Sequence, residues 1–97
     1  MRVKIAYTVE MDEVEEEVVT IMQKALSDIE TASSTAFDAT SQLSSGEGDI
    51  VSIVEKIDSA RLIISRADQN MSDCYEILKA YRQALQRLEE EVKNEQV

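Results

Sequence analysis

Four carboxylates have the types and spacing to do chemistry: Glu13 with Glu16, and Glu55 with Asp58. In each pair the members stand three positions apart, so on a helix both lie on one face, within reach of a shared magnesium ion. The same residues have a plainer reading. Glu13 and Glu16 belong to the acidic start of a helix, and Glu55 and Asp58 to a solvated face that includes Lys56.

A second set consists of Ser33, Arg61, Arg66, Lys79, Arg82 and Tyr75. Hydroxyl, guanidinium and ammonium donors suit phosphate oxygens, and a tyrosine ring beside cations can stack on a base. These are the candidate ligand-binding residues for a small anionic molecule, such as a nucleotide, held between protomers. The plainer alternative is close helix packing, with Arg61 and Arg66 paired to Asp58, Asp68 or Glu30.

The rest of the sequence narrows the chemistry. It contains no histidine, which removes the usual general base, serine–histidine and cysteine–histidine catalysis, carboxylate–histidine di-iron sites and most zinc sites. Gly46, Glu47 and Gly48 precede an aspartate and no Gly-Lys-Ser/Thr element, so they read as a turn and not as a phosphate loop. Cys74 is the single cysteine, so neither an internal disulfide nor a thiolate cluster is available, and a packing role is expected. No catalytic residue, metal site or cofactor is assigned.

The spacing of Glu13 with Glu16 and of Glu55 with Asp58 resembles the paired Glu-x-x-Glu and Glu-x-x-Asp motifs of the all-α nucleoside triphosphate pyrophosphatases, which place metal-binding carboxylates on neighbouring helices. The resemblance covers those four residues and implies magnesium-dependent hydrolysis of a nucleoside triphosphate, the alternative to a non-enzymatic reading. In general plan the chain is also similar to the small helical oligomers with which bacteriophages absorb nucleotide signals. That likeness implies a sequestering, phage-like accessory protein.

The elements that must position these residues follow from composition and periodicity. Without proline, and with two glycines and one phenylalanine in 97 residues, the chain suits long helices. The expected fold is a single mainly α domain: an antiparallel, coiled-coil-like two-helix hairpin with a short N-terminal β-strand, assembling into an oligomeric helical bundle. Residues 1–11 form the strand or arm, 12–44 the first helix, 45–48 the turn and 49–94 the second helix.

In the arm, Val3, Ile5, Tyr7 and Val9 alternate with Arg2, Lys4, Ala6 and Thr8. Asp12 and Glu15 suggest a capping box at the start of the first helix. Its apolar face is read as Val19, Met22, Leu26, Ile29, Ser33, Ala36, Thr40 and Leu43.

Asp49 is placed to cap the second helix. There the positions Ile50, Ile53, Ile57, Ala60, Ile64, Ala67, Met71, Cys74, Leu78, Tyr81, Leu85, Leu88 and Val92 alternate spacings of three and four without one charge. A repeat held this long implies supercoiled packing. The shorter first helix can cover that seam to about Tyr81, which leaves Leu85, Leu88 and Val92, with the arm residues Val3, Ile5, Tyr7 and Val9, as the expected oligomer interface.

A net charge of −10, from 20 acidic and 10 basic residues, disfavours direct binding of nucleic acid or of an anionic membrane and favours a basic protein partner. The opening residues lack the continuous apolar run of a signal or a membrane span, so a cytoplasmic protein is expected. The leading functional expectation is a homo-oligomeric interaction or adaptor protein with an acidic surface. The alternatives are the anion-sequestering oligomer and an acidic DNA-mimic inhibitor.

Overall fold

A computed structural model describes residues 13–95. They form two helices, α1 (Val14–Ser45, 32 residues) and α2 (Ile50–Glu95, 46 residues), lying against each other as a hairpin. The proposed strand and the Asp12 cap lie outside the described residues. Glu13 occupies the N-cap of α1 without a side-chain capping bond, so what favours this end is the acidic first turn of Glu15, Glu16 and Glu17 acting on the helix dipole.

Local chemistry explains both helices and the break between them. Three threonines inside or near the middle of α1 turn their hydroxyls back to the preceding turn: Thr20 donates to the Glu16 carbonyl, Thr31 to that of Ser27 and Thr40 to that of Ala36, at 3.2, 3.1 and 2.9 Å. These bonds occupy hydroxyls that would otherwise compete with the helix. Gly46 ends α1 in the left-handed region at φ 74°, and Gly48 follows at φ 82°, conformations that cost a side-chain-bearing residue dearly. Asp49 then caps α2 as expected: the Ser52 N–H donates to its carboxylate at 2.8 Å and the Ile53 N–H to its carbonyl at 3.1 Å.

The buried seam is narrower than the sequence reading had it. On α1 the buried residues are Val18, Ala25, Ala32 and Ala39; on α2 they are Ile53, Ala60, Ala67 and Cys74. Each column advances by seven. The Cys74 thiol lies 3.8 Å from the carbonyl oxygen of Val18, and this register, carried in steps of seven, sets Ala67 opposite Ala25, Ala60 opposite Ala32 and Ile53 opposite Ala39. Side chains this short bring helix axes to the close end of the usual ~8–10 Å range.

Two expectations are thereby corrected. The α1 positions Val19, Leu26 and Leu43 lie outside the buried seam, since all three are exposed. On α2 only every second position of the proposed series is covered, while Ile57, Ile64, Met71 and Leu78 stay substantially exposed even alongside α1. The reason is steric: two helices approach most closely along their smallest residues, and the large aliphatics are displaced to the flanks of the contact.

The hairpin measures 74 × 24 × 15 Å. It is a single layer of helices, and no large side chain is fully buried among the described residues. By this register Val14 lies level with Leu78, so the last 17 residues of α2 run past the start of α1, an overhang of about 25 Å.

Candidate functional site

A step of four residues along an α-helix turns about 40° beyond one full turn. From the buried column of α1 this step reaches Met22, Ile29, Ala36 and Leu43; from that of α2 it reaches Ile57, Ile64, Met71 and Leu78. Because the helices run in opposite directions, the two rotations lead to the same side of the hairpin. One side of the layer therefore carries two adjacent apolar columns without a charge between them. The α2 column extends in strict sevens from Ile50 through Leu85 to Val92, and its members from Ile57 onward are 37–51% exposed.

A step of three turns the other way, by about 60°. It reaches Ile21, Asp28, Thr35 and Gln42 on α1, and Lys56, Ile63, Asn70 and Ile77 on α2, so the second side is mixed. Here Arg66 reaches across to Asp28, its Nε and a terminal nitrogen donating to the two carboxylate oxygens at 2.8 and 2.7 Å. The Asp28 side chain keeps only 17% of its accessible surface. The Arg66 guanidinium holds the Asp28 carboxyl below its ordinary range, first through the hydrogen bonds and then through charge, against partial desolvation. Asp28 in turn raises the pKa of Arg66. This fork ties α1 to α2 at one register.

The candidate ligand-binding residues do not converge within one hairpin. Arg61 donates to Asp58 one turn back at 2.7 Å, as the packing reading allowed, whereas Arg66 takes Asp28 and not Asp68 or Glu30. Five residues turn a helix by about 140° from its start, so Arg61 and Arg66 stand on opposite flanks of α2. The Lys79 ammonium lies over the Tyr75 ring at 5.8 Å, with Tyr75 largely exposed. Arg82 follows on the overhang side, roughly 30 Å of helix rise from Arg61. Ser33 is exposed on α1.

The paired carboxylates are also far apart. The register sets Glu16 level with Glu76, and Glu55 level with Phe37, which puts the two pairs roughly 30 Å apart along the hairpin. Among the described residues no group of three or more Asp, Glu or Cys could hold a metal ion. Cys74 lies in the seam, where burial first and the charge of Asp73 second push its thiol pKa up.

Of the expected interface, Leu85, Leu88 and Val92 are exposed on the overhang and line a shallow open groove with Glu89 and Lys93. Val3, Ile5, Tyr7 and Val9 lie outside the described residues. What the sequence reading missed is the full extent of the apolar side, of which Leu85 and Val92 are one end. The signal was present in the two columns of small residues at sevens, Ala25, Ala32, Ala39 and Ala60, Ala67, Cys74, which mark the true centre of the contact.

No helix among the described residues is long and apolar enough to cross a membrane. No protein-family model matches the chain, and no curated protein or solved structure is significantly similar to it.

Proposed function

We propose that the chain is a non-enzymatic interaction or adaptor protein that works by helical self-assembly and presents an acidic outer surface. The observation that carries this reading is the uncovered heptad column from Ile50 to Val92, seven large apolar residues in strict sevens along one side of α2. Covering residues now 37–51% exposed would contribute about 1 kcal/mol each, a strong incentive to associate. The acidic clusters Glu15 to Glu17 and Glu89 to Glu91 are exposed, near the start of α1 and on the overhang, where they would remain available to a basic partner.

Sedimentation equilibrium of the full chain tests the reading. A mass above one chain at micromolar concentration is expected, and a monomer throughout the range to about 500 µM would overturn it.

A further inference from the structure

We infer that the apolar side of the hairpin is covered by a second copy of this chain, the two hairpins stacking apolar side to apolar side about a two-fold axis to close a four-helix bundle. The inference rests on the self-assembly reading and names its partner and its surface.

Three observations select the occupant. The first is layering. A hairpin 15 Å thick is one helix deep, whereas a stable domain needs a second layer over its core, and two such hairpins supply each other's. The second is extent. Along α1 the apolar side is about 48 Å long and two helix diameters wide, giving close to 1,000 Å² per copy, against the ~800 Å² per partner of a standard stable interface. Residues 1–12 of this sequence could span at most about 40 Å as a single extended segment, too little to cover both columns.

The third is pattern. Both helices contribute a column at seven-residue spacing on the same side, so the matching surface is another pair of helices with the same repeat, and this hairpin is itself such a pair. A two-fold stack is closed and self-complementary, which a single foreign helix on a two-helix face is not.

Electrostatics gives the inference a sign. With −10 on each copy, association works against repulsion, so added salt tightens the dimer; a basic partner or an ion-paired interface would loosen.

The test combines mass and footprint on the full chain. Sedimentation from about 1 to 500 µM should give twice 10.9 kDa, with affinity unchanged or tighter at high salt. Ile64→Glu should weaken association at least a hundredfold, while Ser59→Glu, an exposed change off the apolar side, should leave it within about threefold. Should Ile64→Glu fail to fold, hydroxyl-radical oxidation of the unaltered protein still decides. Met22 and Met71 lie on the apolar side and should be protected at least fivefold on going from dilute to concentrated samples, whereas Phe37, 70% exposed and off it, should not change.

A monomer at every concentration would overturn both this inference and the assembly reading. An oligomer indifferent to Ile64→Glu, but dissociated by Leu88→Glu or by serines replacing Val3, Ile5, Tyr7 and Val9, would overturn the inference and leave that reading standing. So would a mass of three or more chains, unprotected Met22 and Met71, or association that weakens with salt.

Discussion

Replacing Ala67 by leucine probes the alanine columns directly. Ala67 is 1% exposed and faces Ala25, itself fully buried, in a layer where both helices present a single methyl group. A leucine side chain there adds three carbons between the two facing helices. The helices must part towards the wider ~10 Å spacing that leucine layers need, which loosens the neighbouring layers Ala32·Ala60 and Val18·Cys74 as well. Overpacking of this kind costs about 1–3 kcal/mol, and because the strain spreads to two further layers the upper end, about 3 kcal/mol, is expected.

For a domain of this size, that loss would lower the melting temperature by roughly 12–24 °C. The assay is thermal unfolding followed by circular dichroism at 222 nm, at matched protein concentration. Ala80→Leu serves as the control, an exposed position on the same helix that should move the midpoint by no more than a few degrees. A variant Ala67→Leu as stable as the parent, or more so, would refute the claim that the alanine columns are the line of closest approach.

Other consequences can be checked with similar means. Asp49→Ala removes the cap on Ser52 and should cost about 1 kcal/mol, as should Gly46→Ala, whose left-handed backbone is the only obstacle since the space around it is open. Gly48→Ala should cost more than Gly46→Ala, because its new methyl would sit 3.2 Å from the Gln42 side chain; unfolding midpoints rank the three.

The Asp28 pKa is depressed in the fold, so its stabilising effect is complete above the unfolded value near pH 3.9 and is lost as pH falls through the lower folded value. Asp28→Asn should therefore melt lower than the parent at neutral pH, with the difference shrinking as pH falls below the unfolded value and through the folded one; a gap that does not shrink on acidification would refute the ion-pair account. Finally, the buried Cys74 thiol, with its raised pKa, should alkylate at least tenfold more slowly in the folded chain than in denaturant, as mass spectrometry would show.

Much of the fold was legible because it is written in local chemistry. The glycines and Asp49 set the break, the absence of proline permits long helices, and the apolar repeat calls for packing of helix against helix. What local pattern could not resolve is the rotation of each helix about its own axis. On α2 the apolar arc is about 100° wide, from the column of Ile63 and Ile77 through Ala60 and Ala67 to Ile57 and Ile64. Counting large side chains draws the eye to one edge of that arc, while its centre is held by alanines that hydrophobicity ranks low.

The same misplacement occurs on α1, where Leu26 and Leu43 outweighed Ala25 and Ala39. The Arg66–Asp28 fork was illegible for a related reason: its partner depends on inter-helix register, while Arg61 finds Asp58 through helical spacing alone. Residue type alone does not reveal that Arg61 and Arg66 stand on opposite flanks of α2.

The strict seven-residue spacing of the column from Ile50 to Val92 has a geometric consequence for anything that lies along it. Seven residues fall about 20° short of two full turns of an ideal helix, so over its six intervals the column would wander about 120° around a straight α2. The side chains form a ribbon wound with left-handed sense, and a straight rod laid on it would lose touch within a few turns. Only a surface wound with the same hand and pitch can follow it from end to end, which makes handedness itself a criterion of partner choice.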